Sequence, residues 1–196
     1  ATHLWRTERL AGGADLAAVT QELARRMQIS SHIHPMSNQA VRTTVHSDEG
    51  HLPFQHYFVR RQCEPAVTGF SFEGLEQAQA NAQVMELLAT NQFSHIIVCP
   101  SNPFVSIDPI LQVSGIWYAL RDSSAGVTMV SPIVAGQAIK GPAAKMMTEL
   151  SVPVTALGVA KHYADKYPGL VDDFLIDQSD ATLAPEISAL GMRVHI

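Results

Sequence analysis

Four stretches of this chain carry residue types able to hold a phosphate group or move a proton. In Pro100-Ser101-Asn102-Pro103, with Ser106 following, a hydroxyl and a carboxamide stand between two prolines. The prolines restrict the backbone, so these side chains are fixed in an irregular loop, ready to bind phosphate oxygens or a purine edge. The same asparagine suits an Asx turn, in which it satisfies its own backbone. The second stretch is Gly136-Gln137-Ala138-Ile139-Lys140-Gly141-Pro142. Gly136 and Gly141 allow close backbone approach to an anion, and Lys140 adds a full charge. Pro142 fits the first turn of a helix whose free N–H groups and dipole favour negative charge. An ordinary strand-to-helix connection with a solvated lysine has the same spacing, and no GxGxxG or Walker lysine motif accompanies it. Third, Lys161-His162-Tyr163 offers an imidazole, either as a ligand contact or as a structural group with satisfied nitrogens. Fourth, Asp177 and Asp180 present two carboxylates, equally suited to a cation or to capping and closing turns. His32, His34, His46 and His56 show no ligand spacing and read as surface residues.

The elements that must position these residues alternate along the chain. Residues 1–30 read as helical, with Asp15 as N-cap of a segment that lines up Leu16, Val19, Leu23 and Met27. Residues 31–74 change period. Val41, Thr43 and Val45 alternate with Arg42, Thr44 and His46, Asp48-Glu49-Gly50 makes a turn, and 54–59 and 67–72 read as two more strands. This is a small antiparallel β insertion. Residues 75–196 then read as an α/β nucleotide-binding region. Helices over Ala78–Leu88, over Ile107–Leu120 and from Pro142 to Leu150 alternate with strands at 95–99, 127–130, 155–160 and 174–176. The predicted fold is α/β: a Rossmann-like parallel sheet with helices on both faces, plus the antiparallel insertion. Ligands in such sheets lie beyond the carboxyl ends of the strands. Each chemical stretch follows one: Ser101 the first, Ser131 and the 136–142 loop the second, His162 the third, Asp177 the fourth.

Bulk composition narrows the function. The 196 residues are 46% hydrophobic and 16% charged, enough to bury a core for one domain, or one with a subdomain. A net charge of -5 excludes a general binder of nucleic acid or of membrane surfaces. No apolar run approaches a bilayer span, and no signal-peptide pattern opens the chain. Cys63 and Cys99 are far apart, without metal or redox spacing, which fits a reducing, cytoplasmic setting. The chain opens on Ala1-Thr2-His3-Leu4 and stops on Val194-His195-Ile196, which reads as a strand cut short. The expectation is an excerpt of a longer protein.

Two long stretches carry a resemblance. Pro100 to Leu111 (PSNPFVSIDPIL) and Ser131 to Lys145 (SPIVAGQAIKGPAAK) are similar to the signature loops of the 2-phospho-L-lactate transferase (CofD-like) family. Ala1-Thr2-His3-Leu4 with Arg6-Thr7, Phe54 to Arg60, Gly158-Val159-Ala160 with His162-Tyr163, and Phe174 to Asp177 with Asp180 support it, in the family's order over essentially the whole chain. The resemblance implies a transferase of deazaflavin coenzyme F(420) biosynthesis. Such an enzyme moves a phospholactyl or phosphoenolpyruvyl group from a guanosine diphosphate-linked donor to the ribityl hydroxyl of the deazaflavin FO, releasing GMP, with magnesium as cofactor. It implies that Ser101, Asn102, Ser106 and Lys140 hold phosphate or guanosine, with Pro103, Ser131, Gly136, Gly141 and His162 lining the same site. The family's catalytic acids and metal ligands are expected before residue 1, and a further strand and helix after Ile196, so this stretch alone is expected to be inactive. A homodimer is left open. The competing reading is a non-enzymatic, nucleotide-sugar-binding regulator of the gluconeogenesis-factor-like family. That family has a glycine-rich loop in place of Pro100–Pro103 and lacks the Gly136–Lys145 stretch. A degenerate, purely structural homologue is the third alternative.

Overall fold

A computed structural model describes residues 2–196. Two helices open the chain, α1 (Thr2–Ala11) and α2 (Leu16–Arg26). Asp15 caps α2 as expected, its carboxylate accepting from the Ala18 N–H at 2.7 Å. Val19 is buried and Leu16 and Leu23 are half-buried, but Met27 is 61% exposed. The helix ends at Arg26, so the apolar stripe stops one turn early.

The insertion is a three-stranded antiparallel sheet in the order β2-β1-β3, with β1 Arg42–Ser47, β2 Gly50–Pro53 and β3 Val67–Glu73. Thr44 and Val45 are both buried, so both faces of β1 are covered, and the Thr44 hydroxyl donates to Glu73 at 2.6 Å. The strand expected over residues 54–59 is not there. The strand ends at Pro53, and His56–Arg60 winds into a wide, π-helical turn. The turn buries Tyr57 completely and turns Phe58 and Val59 outward. The Tyr57 hydroxyl, 3.5 Å from Lys145 Nζ, sits at the seam with the body, and burial pushes its pKa up. One deeply anchored aromatic outweighed the β propensity of its neighbours.

The body continues through α3 (Ala82–Ala89), β4 (His95–Val98), α4 (Asp108–Leu111), α5 (Ile116–Arg121), β5 (Gly126–Val130), β6 (Ile133–Val134), β7 (Gln137–Ala138), α6 (Ala143–Glu149), α7 (Ala156–Lys166), β8 (Asp173–Leu175), α8 (Ala184–Ser188) and β9 (Arg193–His195). Strands β4-β5-β8-β9 form one parallel sheet, so the expected parallel α/β architecture with a separate antiparallel patch is the one observed. Val127, Met129 and Phe174 on one face are buried, and Met129 and Phe174 share a core with Val159 and Tyr163 of α7 and Ile187 of α8. The opposite face carries Ile97, 63% exposed, and Leu175, and among the described residues it is the less covered of the two.

Two further expectations are corrected. The single helix expected over Ile107–Leu120 is two short ones, interrupted at Gly115, whose φ of 89° is in the left-handed region. The strand expected at Thr155–Ala160 is the first turn and a half of α7. Thr155 is its N-cap, accepting from the Gly158 N–H at 3.0 Å, and Ala156, Val159, Ala160 and Tyr163 repeat with helical spacing on the buried side. A short apolar window does not separate a buried helix from a buried strand. Gly158 is required there, because a Cβ would stand 2.1 Å from the Pro153 carbonyl oxygen.

Candidate nucleotide site at the strand ends

β4 and β5 are parallel neighbours, so Ser101 and Ser131 follow adjacent strand ends, as expected of a ligand crevice. Cys99 lies exposed where β4 ends. Ser101 is half-buried and Ser106 exposed. Asn102 takes the Asx role. Its Oδ1 accepts from the N–H groups of Phe104 (3.0 Å) and Val105 (3.3 Å), capping a π-helical turn over Pro103–Ile107. Its Nδ2 reaches the sulfur of Met146 at 3.2 Å. Ser131 is buried and locked in place, its hydroxyl donating to the Ile133 carbonyl at 2.8 Å and accepting from the Ile133 N–H at 3.1 Å.

The loop expected from Gly136 is a hairpin instead. β6 and β7 pair antiparallel across Ala135 (φ 50°) and Gly136 (φ 75°), the two left-handed positions of a two-residue turn. Asp180 clamps that turn, its buried carboxylate accepting from the Ala135 N–H at 3.0 Å. Lys140 and Gly141 lie beyond the hairpin, both exposed, and Pro142 precedes α6. The Asn102–Met146 contact draws the Pro100–Pro103 loop against this same helix. The two signature stretches therefore meet.

His162 comes from a different element. With no strand at 155–160, it lies on α7 rather than at a strand end, and its Nε2 is 2.9 Å from Oδ1 of Asp108. Asp108, only 3% exposed, also receives Lys166 Nζ at 2.5 Å and the Tyr167 hydroxyl at 3.0 Å. Burial first, then the charge of Asp108, pushes the Tyr163 and Tyr167 hydroxyls far above their ordinary range. Asp108 was missed in the sequence, although it is the one charged residue between Cys99 and Arg121. Asp177 and Asp180 take the structural roles open to them. Asp177 accepts from the N–H (2.8 Å) and hydroxyl (2.7 Å) of Ser179, which lowers its pKa, and Asp180 holds the hairpin. Among the described residues no three His, Cys, Asp or Glu side chains converge to hold a metal ion. His34, His46 and His56 are half-buried rather than on the surface, and His46 pairs with Ser71 at 2.8 Å. Also unforeseen is Lys145, which bonds the Pro65 carbonyl (2.8 Å) and Glu149 (2.5 Å) and fastens α6 to the insertion.

Among the described residues no helix is long and apolar enough to cross a membrane. The model of the family described as 2-phospho-L-lactate transferase CofD matches residues 1–189. A 2-phospho-L-lactate transferase of Methanococcoides burtonii is 33% identical over 193 residues, covering 98% of this chain and 60% of that protein. A phosphoenolpyruvate transferase of Streptomyces griseus is 36% identical over 197 residues, with the same coverage of both. A crystal structure of a UPF0052 family member from Bacillus halodurans superposes with a TM-score of 0.67 over 98% of this chain and 59% of that one; at 16% identity the likeness is one of fold. The chain thus spans about 60% of the length of the curated relatives it matches. Matched across nearly all of its residues, and at a third identity to these relatives, the chain belongs to the 2-phospho-L-lactate transferase CofD family.

Proposed function

We propose that the protein of which this chain is a part transfers a phospholactyl or phosphoenolpyruvyl group from a guanosine diphosphate-linked donor to the ribityl hydroxyl of the deazaflavin FO, and that this chain supplies part of the donor site. The observation that carries the reading is the meeting of the two signature stretches. At adjacent ends of parallel strands, the Pro100–Pro103 loop rests on the helix that Lys140-Gly141-Pro142 opens. Family membership supports the transferase chemistry.

The acceptor hydroxyl oxygen attacks the distal phosphorus of the donor, a phosphodiester forms, the bond to GMP breaks and the hydroxyl proton passes to solvent. In this reading Ser101 and Ser106 donate to phosphate oxygens. Lys140, exposed and beside Gly141, can swing its ammonium toward the bridging oxygen, where negative charge grows as GMP leaves. Asn102 acts indirectly, shaping the loop through its bonds to Phe104 and Val105. Magnesium is implied by the family resemblance. The carboxylates Asp177 and Asp180 are committed to Ser179 and Ala135, so no step is assigned to the ion through this chain's residues.

Calorimetry on the full-length protein tests the reading. It should bind GDP more tightly than UDP-N-acetylglucosamine, and Ser101→Ala should weaken GDP by about 1 kcal/mol, the worth of one hydrogen bond. Preference for the UDP-sugar would move the protein to the regulatory alternative.

A further inference from the structure

Both oxygens of the buried Asp108 carboxylate are taken. Oδ1 accepts from the Tyr167 hydroxyl and pairs with His162 Nε2, while Oδ2 accepts from Lys166 Nζ. Behind these three partners the group scarcely reaches solvent, and a carboxylate would repel a diphosphate rather than bind it. Any part it plays in donor binding is therefore indirect. A buried ion pair is seldom the most stabilising way to fill its volume; its best-attested use is to select one packing register over its neighbours. The register selected here is that of α4 on α7, because all three partners belong to α7 or to Tyr167, the residue that caps it.

Asp108 is also the far end of the strand-end loop. Its N–H donates to the Pro103 carbonyl, closing the π-helical turn that Asn102 caps at the other end. Inside that turn the Ser106 N–H donates to the Asn102 carbonyl at 3.0 Å, so the turn sets where Ser106 stands. Asp108 reaches the turn by a second route: His162, which it holds, meets the buried Phe104 ring edge-on with centroids 5.1 Å apart. The loop is thus fastened twice, to α6 through Asn102 and Met146 and to α7 through Asp108. We propose that Asp108 is a positioning residue of the donor site: by holding the Pro103–Ile107 turn in one register on α7, it aims the hydroxyls of Ser101 and Ser106 at the phosphates of the donor. The inference rests on the transferase reading and deepens it.

GDP titrations on the full-length protein, with and without the two serine hydroxyls, test it. Removing a negative charge would by itself favour a diphosphate, so electrostatics alone predicts tighter GDP binding by Asp108→Asn. Positioning predicts the opposite sign: affinity about fivefold weaker, the factor of one misplaced hydrogen bond. It also predicts non-additivity, because residues that act through one another do not contribute independently. In a Ser101→Ala, Ser106→Ala background the same substitution should change GDP affinity by less than about twofold. Tyr167→Phe takes one donor from Asp108 without altering any charge. It should repeat the pattern at about threefold, and it decides the matter if Asp108→Asn does not fold. An equal loss in both backgrounds marks a merely structural role and overturns the proposal. So does GDP affinity that is unchanged or tighter in Asp108→Asn, or in Tyr167→Phe where Asp108→Asn does not fold. The transferase reading fails separately, when the wild-type protein does not bind GDP.

Discussion

At the scale of single residues, several close polar contacts are made by carboxylates that the sequence offered as candidates for other work or did not single out at all. Asp173 is buried at the start of β8 and receives Arg193 at 2.7 Å and His195 at 2.6 Å from β9. Those bonds, Arg193 first, hold its pKa well below the ordinary 3.8. A depressed folded-state pKa stabilises the fold at every pH above the unfolded value, and the contribution is lost as pH falls below it. Asp173→Asn should therefore lower the urea midpoint clearly at about pH 7. The gap to wild type should narrow as pH falls below about 4, as paired urea titrations will show. Lys140 is the opposite case, exposed and bonded to nothing that orders it among the described residues. If its charge meets the leaving GMP, Lys140→Gln should lower kcat by about a hundredfold with little change in KM for the donor. A change under about threefold in steady-state assays would mark it as a solvated surface residue. Composition and spacing made Ser101, Asn102 and Lys140 legible as a group. They did not reveal that Asn102 spends its oxygen on Phe104 and Val105, because an Asx turn and a ligand contact ask for the same residue type.

At the scale of elements, legibility followed the strength of the local signal. The Asp15 cap, β1, β3, β4, β5 and β8 all lie where alternation, capping or a short apolar run placed them. Among the elements that differ from expectation, 54–59 and 155–160 are places where tertiary contacts decide. Tyr57 is buried through a wide turn, and the apolar face of α7 matched a strand over six residues. The correction at α7 carries a prediction. Gly158 sits under the Pro153 carbonyl with room for no Cβ, so Gly158→Ala must push that loop aside despite alanine's higher helix propensity. Overpacking of this kind costs about 1–3 kcal/mol, measurable as a lower thermal midpoint. Helix propensity alone would predict the opposite sign.

At the scale of the whole molecule, the chain is a parallel sheet with one well-covered face and an antiparallel sheet fastened to its side. Fold class and the meeting of the signature stretches could be anticipated from the sequence. The seam could not, since it depends on pairs 80 or more residues apart: Val67 to Glu149, and Pro65 to Lys145. Glu149 accepts the Val67 N–H at 3.0 Å while pairing with Lys145. Glu149→Ala should release the start of β3 and raise amide exchange there about tenfold, the equivalent of one lost charge-assisted bond of about 1.5 kcal/mol. Exchange within β5, on the far side of the core, should not change. A uniform rise across both sheets would mean that insertion and body unfold as one unit.

The chain's two thiols differ in a way that can be put to use. Cys99 is exposed at the end of β4, next to Pro100, while Cys63 is half-buried and burial raises its pKa. Alkylating reagents attack the thiolate, so near neutral pH a maleimide dye should modify Cys99 and largely spare Cys63. A dye on Cys99 would stand beside the strand ends that carry Ser101 and Ser131. An emission change on adding GDP, absent with the uncoupled dye, would time the arrival of nucleotide directly in a stopped-flow mixer.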